Sequence, residues 1–113
     1  MHELSVATSI LRIAEEEVEK VKGKKVKEIT LKIGKLSGVE LDSLKFAWEI
    51  CMKGSVLEEA KLIITEPEGK AQCAECKTVF PLEKIYDVCT NCKSPFKEII
   101  SGKELKIKKL III

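Results

Sequence analysis

Cys73-Ala74-Glu75-Cys76 and Cys89-Thr90-Asn91-Cys92 are two Cys-x-x-Cys pairs separated by twelve residues, and they form the most specific pattern in this chain. Two thiolates three positions apart can hold one cation from a tight turn, and a second such pair completes a tetrahedron. The spacing therefore predicts a closed four-sulfur metal site of the structural zinc type. A closed site of this type stabilises a fold and leaves no coordination position open for chemistry.

Two other interpretations of the cysteine pairs remain open at this point. A four-sulfur site can also hold iron, as rubredoxin-like centres do. A redox dithiol is the second alternative, although a reductase pair normally follows a strand and opens a helix, and one pair would suffice.

The chain has no basic leader before an apolar core and no aliphatic run long enough to span a bilayer, so we expect a cytoplasmic location. The reducing cytoplasm favours metal thiolates over disulfides.

The residues that precede the cysteine pairs predict a helix, a strand, a second helix and a second strand. Apolar residues recur at three- and four-residue spacing over residues 4–21 and 39–53, which is typical of amphipathic helices. Residues 26–36 alternate as a half-buried strand does, and residues 62–65 form a short aliphatic strand. The first helix is expected to begin either at His2 or Glu3, or after a cap at Ser5.

Regular apolar spacing resumes only after Ser101-Gly102, in a final strand that includes Leu105 and Ile107. The strand that ends near Thr65 and the one that starts near Lys103 are expected to pair antiparallel, with the cysteine pairs at the tip of an enlarged hairpin. We therefore predict an α+β fold: two helices packed on a three-stranded mixed sheet, with an inserted four-cysteine, zinc-ribbon-like module. The predicted domains are residues 1–66 together with 102–113, and the inserted residues 67–101.

Length and charge narrow the possible functions. A chain of 113 residues can form one compact domain and a small satellite. Twenty basic and eighteen acidic residues are interleaved, so no field of one sign would attract a nucleic acid or a membrane. A nucleic-acid-binding zinc ribbon, or a purely structural zinc adaptor, stays an alternative. We expect no enzymatic activity, because the single histidine has no Ser, Cys or Asp constellation around it in the sequence.

That single histidine is His2, in the opening Met1-His2-Glu3. Because His2 is too bulky for ready removal of the initiator methionine, Met1 is expected to keep its α-amine as a nitrogen donor. Amine, imidazole and backbone nitrogen suit Ni(II) or Cu(II), and Glu3 places a carboxylate within reach. The alternative for Glu3 is compensation of the helix dipole in the first turn. An open terminal site with few donors suits metal transfer better than storage.

Several features together resemble the hydrogenase maturation nickel chaperones, the HypA/HybF family: the opening Met1-His2-Glu3-Leu4-Ser5, the long first helix, the strand and helix after it, and both cysteine pairs before a final strand. The resemblance covers essentially the whole chain. It implies a nickel-binding domain and a zinc-binding domain. His2 is then the essential nickel ligand, with the Met1 amine and backbone nitrogens near His2 and Glu3 as further donors. The implied zinc ligands are Cys73, Cys76, Cys89 and Cys92.

The same resemblance implies a cargo and partners. Ni(II) is carried rather than kept, while Zn(II) is structural; the implied partners are the GTPase HypB and the large subunit of [NiFe]-hydrogenase, and some members also serve urease and its accessory proteins. Neither nucleic acid nor membrane is an implied partner, and the sequence leaves a homodimer open. Some relatives have histidines in the zinc module that can complete a nickel site, whereas this chain has none beyond His2. The remaining nickel donors must then come from Met1, the backbone, Glu3, water or a partner.

Overall fold

The structure is a computed structural model that describes residues 3–113 in full and the backbone of residue 2. Over these residues two helices and six strands follow one another. In chain order they are α1 (His2–Lys20), β1 (Val26–Ile33), α2 (Leu41–Cys51), β2 (Lys61–Thr65), β3 (Lys70–Cys73), β4 (Val79–Pro81), β5 (Lys97–Ser101) and β6 (Leu105–Ile112). Within the described part of the chain, no helix is both long enough and apolar enough to cross a membrane.

Helix α1 begins at His2, so the expectation of a cap at Ser5 is wrong and the earlier start is correct. Ser5 lies inside the helix, where its backbone carbonyl accepts a hydrogen bond from the hydroxyl of Thr8. The apolar face predicted over residues 4–21 is partly confirmed, because Leu11 at its centre is only half-buried and its two ends are exposed. The buried members of the predicted face are Ala7, Ala14 and Val18, and its exposed ends are Leu4 and Val21. Ile10, which the predicted face does not include, is buried as well.

Helix α2 confirms the predicted second helix, with shorter bounds. It starts after Glu40, whose carboxylate accepts a hydrogen bond from the backbone N–H of Asp42. Its apolar face buries Leu44, Ala47 and Trp48, and α2 packs against α1. Trp48 is therefore a core residue.

The first sheet has the strand order β2-β1-β6. The predicted antiparallel pairing of the strand near Thr65 with the strand near Lys103 is therefore wrong, because β2 and β6 lie on opposite sides of β1. Lys25 and Ile113 exchange backbone hydrogen bonds at one end, and Gly34 donates to Glu104 at the other, so β6 runs antiparallel to β1. Since the sheet is mixed, β2 runs parallel to β1, as a strand–helix–strand unit predicts.

A second sheet, of order β4-β3-β5, carries the cysteine pairs. Its central strand β3 pairs antiparallel with both neighbours, and Ala71 lies opposite Phe80 on one side and Ile99 on the other. Ala71, Phe80 and Leu82 form a small core together with Leu36 and the buried cysteines Cys73 and Cys89. The fold is thus the predicted α+β arrangement with a separate three-stranded sheet for the cysteines.

Two glycines allow a close approach of the backbone next to this small core. A Cβ atom added at Gly34 would lie 2.0 Å from the carbonyl oxygen of Gly102, which is far inside van der Waals contact. Gly102 has a φ of +107°, a conformation that residues with a side chain rarely adopt. Both positions therefore require glycine.

The described chain divides into two compact units. The first contains Met1–Leu31, Val39–Ile64 and Ile107–Ile113, and the second contains Lys32–Gly38 and Thr65–Lys106. The second unit thus includes a short stretch that precedes α2, which a division by sequence composition does not anticipate. The division into a domain of residues 1–66 with 102–113 and an inserted domain of residues 67–101 therefore stays a prediction.

Replacing the fully buried Leu44 by Ala should lower the free energy of unfolding by about 2–5 kcal/mol, because the substitution removes buried apolar area and leaves a cavity. Leu4→Ala is the matched control, since Leu4 is 45% exposed. Urea unfolding followed by the fluorescence of Trp48, the only tryptophan, would measure both variants. Equal losses from the two substitutions would contradict this account of the core.

Candidate metal centre

The two cysteine pairs form tight turns of the same construction. In the first turn the backbone N–H of Lys77 donates to the carbonyl of Cys73 over 3.1 Å, and in the second the N–H of Lys93 donates to the carbonyl of Cys89 over 3.0 Å. Lys77 and Lys93 both have a φ of 64°, a left-handed conformation that is uncommon for residues other than glycine. We call these turns knuckle 1 (residues 73–78) and knuckle 2 (residues 89–94).

A second backbone hydrogen bond closes each knuckle. The N–H of Cys73 donates to the carbonyl of Thr78 over 2.9 Å, and the N–H of Cys89 donates to the carbonyl of Ser94 over 3.0 Å. Because both bonds are local, each Cys-x-x-Cys sequence determines the shape of its own turn. How the two turns meet depends on the β4-β3-β5 sheet, since Cys73 ends β3 and knuckle 2 leads towards β5.

The structure brings all four paired cysteines together. Their Sγ atoms lie within 4.8 Å of one another, with 3.4 Å between those of Cys73 and Cys92 and 3.6 Å between those of Cys76 and Cys89. In a tetrahedron with zinc–sulfur bonds of about 2.3 Å, neighbouring sulfur atoms lie about 3.8 Å apart. The cluster therefore has the dimensions and ligand type to hold a metal ion, and its cysteines are free thiols rather than disulfides.

Backbone N–H groups point at the sulfur atoms of both knuckles. The N–H of Cys76 donates to Cys73 Sγ over 3.4 Å, and the N–H of Asn91 donates to Cys89 Sγ over 3.3 Å, with Cys92 N–H at 3.5 Å from the same sulfur. Four thiolates around one divalent cation carry a net charge of −2, and these donors partly offset it. The first cysteine of each knuckle is buried, whereas Cys92 is exposed.

The four sulfur atoms are not chemically equivalent. The hydroxyl of Thr78, followed by the Thr78 backbone N–H and the side-chain amide of Asn91, lowers the pKa of the Cys76 thiol to about 5. The backbone N–H of Ser94 lowers the pKa of Cys92, but the neighbouring cysteine sulfurs and burial outweigh it and raise that pKa to about 12. The pKa values of thiols crowded into one site move apart in this way, because each ionised sulfur disfavours the ionisation of the next.

The amino-terminal candidates are only partly within the described residues. Met1 and the side chain of His2 lie outside them, so the predicted nickel donors there remain predictions. Glu3 is described, and its Oε2 atom accepts a hydrogen bond of 3.1 Å from the backbone N–H of Glu40. Since Glu40 in turn caps α2 through Asp42, Glu3 links the first turn of α1 to the start of α2.

Beside Glu3, helices α1 and α2 border an apolar groove of 510 Å³. Leu4, Phe46 and Ile50 line it with exposed side chains, and Phe46 is 67% exposed. Glu3 and Asp42 place carboxylates on the same groove. We call this surface the α1–α2 groove.

Sequence reasoning missed three side chains that shape these sites. Glu40 was not identified as a cap because Asp, Asn, Ser and Thr are the usual capping residues. Thr78 and Asn91 contact Cys76 Sγ at 3.2 and 3.6 Å, and this contact was not anticipated either. The available signal was that a hydroxyl residue, Thr78 or Ser94, follows the second cysteine of each pair by two positions.

Comparison with known proteins agrees with this arrangement. The family model described as hydrogenase/urease nickel incorporation, metallochaperone, hypA matches residues 1–112. The chain is 43% identical over 112 residues to hydrogenase maturation factor HypA of Parabacteroides distasonis, which covers 99% of this chain and 97% of that protein. It is 36% identical over 113 residues to hydrogenase maturation factor HypA of Geotalea daltonii, covering 100% of both chains.

Among solved structures, the solution structure of the Ni metallochaperone HypA from Helicobacter pylori superposes with a TM-score of 0.72 at 27% sequence identity. The superposition covers 98% of this chain and 97% of the Helicobacter chain. The similarity in sequence and in fold thus extends over essentially the whole length of the chain. The chain therefore belongs to the HypA family, whose members are metallochaperones, not enzymes, for the incorporation of nickel into hydrogenase and urease.

Proposed function

We propose that the protein binds Ni(II) at its amino terminus through Met1, His2 and Glu3 and delivers it, together with the GTPase HypB, to the large subunit of [NiFe]-hydrogenase. Cys73, Cys76, Cys89 and Cys92 hold a structural Zn(II). Nickel is the cargo of the protein, whereas zinc is a resident part of it. The single observation that carries the nickel assignment is that the only histidine of this family member is residue 2, where α1 begins.

The chemistry of the two donor sets supports this division of roles. Four thiolates that surround an ion leave no open position, so exchange with an acceptor is slow and the site suits a structural metal. An amine, an imidazole and a carboxylate at a chain terminus form an open site of harder donors that suit Ni(II). Release from such a site needs only a few ligand exchanges with the recipient protein. The proposed nickel domain is residues 1–66 with 102–113, and the proposed zinc domain is residues 67–101.

Nickel titration of the zinc-loaded, untagged protein tests the amino-terminal site. His2→Ala should abolish high-affinity nickel binding because it removes the imidazole donor, and a Gly-Ser extension before Met1 should impair binding because it moves the α-amine away. Isothermal titration calorimetry and the d–d absorption of bound Ni(II) would measure both effects. Zinc content and far-UV circular dichroism, which should not change, serve as controls.

Two outcomes of that titration would count against the proposal. If the extended protein binds nickel as tightly as the parent, then the Met1 amine is not a ligand. If His2→Ala also binds as tightly, the amino terminus is not the nickel site, and a zinc-dependent adaptor would be the better description of this chain.

Glu3 can serve both as a nickel ligand and as a structural link, because a carboxylate has two oxygens and several lone pairs. Its hydrogen bond with the Glu40 N–H ties the two helices together, so removing it affects the position of the whole amino-terminal turn. The amide oxygen of glutamine can accept the same hydrogen bond, but glutamine carries no charge. The pair Glu3→Gln and Glu3→Ala therefore separates the two roles.

If Glu3 is a ligand, Glu3→Gln should weaken nickel binding while the melting temperature stays at the parent value. Glu3→Ala should weaken nickel binding and also lower the free energy of unfolding by about 1 kcal/mol, since it leaves the Glu40 N–H without this partner. Thermal unfolding and nickel titration of the same samples would measure both quantities. Unchanged nickel affinity in Glu3→Gln would restrict Glu3 to the structural role.

The α1–α2 groove is the surface that we assign to the GTPase HypB. Its exposed apolar side chains offer a partner buried area, and the carboxylates of Glu3 and Asp42 match a partner that carries basic residues around an apolar anchor. The groove includes Glu3 and Leu4, which directly follow the proposed nickel donors in the chain. A partner seated there would therefore lie next to the ion that is to be transferred.

Phe46→Glu should weaken the complex with a purified HypB-type GTPase by at least about tenfold, because it places a charge where an aromatic side chain would be buried. Val21→Glu is the matched control, since Val21 is 62% exposed in the same compact unit but does not line the groove. Calorimetric titration with the GTPase would compare the two variants. Equal affinities, with nickel binding intact in both, would place the GTPase elsewhere.

A further inference from the structure

The two knuckles are alike in backbone but differ in how their hydroxyl residues are used. Thr78 and Ser94 occupy the same position, two residues after the second cysteine of each pair. The Ser94 hydroxyl oxygen accepts a hydrogen bond of 3.2 Å from the backbone N–H of Phe96, so it serves the turn that leads into β5. The Thr78 hydroxyl instead lies 3.2 Å from Cys76 Sγ. Only one knuckle thus directs its hydroxyl at a sulfur.

Asn91 adds a contact that crosses from one knuckle to the other. It belongs to knuckle 2, yet its Nδ2 atom lies 3.6 Å from Cys76 Sγ and 3.4 Å from Thr78 Oγ1, both in knuckle 1. An amide nitrogen carries two N–H donors, so Asn91 can donate to both atoms at once. Cys76, Thr78 and Asn91 therefore form one hydrogen-bonded group that joins the two halves of the cluster.

This group has a defined chemical purpose when a metal is bound. Every cysteine must then be a thiolate, which accepts hydrogen bonds and donates none, so the Thr78 hydroxyl donates to Cys76 Sγ. Cys73 and Cys89 receive the backbone N–H groups of their own knuckles. Cys76 is the ligand on which side-chain donors converge. Hydrogen bonds to a ligand fix its orientation, and removing them typically lowers metal affinity 10–100-fold.

We propose that Thr78 and Asn91 are positioning residues for the metal of the cysteine cluster: they hold Cys76 as a bound thiolate and lock the two knuckles together. This inference rests on the proposed role of the cluster as a zinc site. Thr78 orients the sulfur from its own knuckle, and Asn91 does so from the opposite one. Loss of either donor speeds metal loss through the Cys76 bond.

The test uses Thr78→Val, which keeps the shape of the side chain without its hydroxyl, and Asn91→Ala. Thr90→Val is the matched control, because Thr90 is an exposed residue of knuckle 2. Thr78→Ser is a second control, because it keeps the hydroxyl and removes only the methyl group. The full-length, zinc-loaded proteins are challenged with excess chelator, and zinc release is followed with a colorimetric dye. Release should be about tenfold faster for Thr78→Val and Asn91→Ala, and should stay at the parent rate for Thr90→Val and Thr78→Ser.

Substitution of zinc by Co(II) provides a second readout. The thiolate-to-cobalt charge-transfer bands should shift in Thr78→Val and Asn91→Ala, because the electron density on Cys76 Sγ changes, and should not shift in Thr90→Val. The double variant should release zinc more slowly than the product of the two single effects predicts, since Asn91 and Thr78 also contact each other.

The outcomes distinguish this inference from the proposed function. If the parent protein binds neither zinc nor Co(II) at the cysteines, the proposed zinc site itself is wrong. If the parent binds both and the two variants release zinc at the parent rate with unshifted spectra, only the positioning role is overturned. Circular dichroism of each loaded variant excludes a general loss of folding as the cause of faster release.

Discussion

The cysteine-bearing part of this protein is built around four crowded sulfur atoms, whose mutual repulsion as thiolates a bound cation would relieve. Their Sγ atoms lie within 4.8 Å of one another. Two unit charges 4 Å apart repel by about 4 kcal/mol at an effective dielectric constant of about 20, so four thiolates cannot share this space alone. The surrounding core contains Ala71, Phe80 and Leu82 and is too small to impose that crowding without help. An ion that neutralised the sulfurs would therefore also stabilise the sheet that carries them.

The backbone prepares both knuckles for this charge. Each uses a left-handed lysine to turn the chain, and each directs N–H groups at its first cysteine sulfur. The side chains make the two knuckles different. Thr78 and Asn91 both contact Cys76 Sγ, whereas the Ser94 hydroxyl accepts a hydrogen bond from the turn that leads into β5. A pair of similar local turns thus yields four sulfur atoms in different environments.

The amino-terminal region follows the opposite principle. Glu3 attaches the first turn of α1 to the capping residue of α2 through a side-chain-to-backbone hydrogen bond. The apolar core of the helices is formed further along by residues such as Ala7 and Leu44. The nickel site that we propose at this end of the chain would be open to solvent and to a partner, as a metal carrier requires. A closed four-sulfur site meets the different requirement of permanence.

Local patterns determined most of what could be predicted from sequence. The two amphipathic helices, the first strand and the two cysteine turns each depend on residues that are close in the chain, so periodicity and spacing suffice to identify them. The first strand was predicted over residues 26–36 and is observed as Val26–Ile33. The four-sulfur site was predictable for the same reason. The positions of β2 and β6 beside β1 could not be predicted, because the apolar alternation of a strand does not determine on which side of β1 it pairs.

The sequence by itself therefore determined both helices, the strands β1, β2 and β6, the sulfur ligands of the candidate metal centre and the family. The tertiary structure alone decided the strand order β2-β1-β6, the bond between Glu3 and Glu40, and the reach of Asn91 to Cys76. Each of these joins residues that are distant in the chain. Such contacts depend on how whole elements pack against one another, and no local pattern of residues specifies that packing.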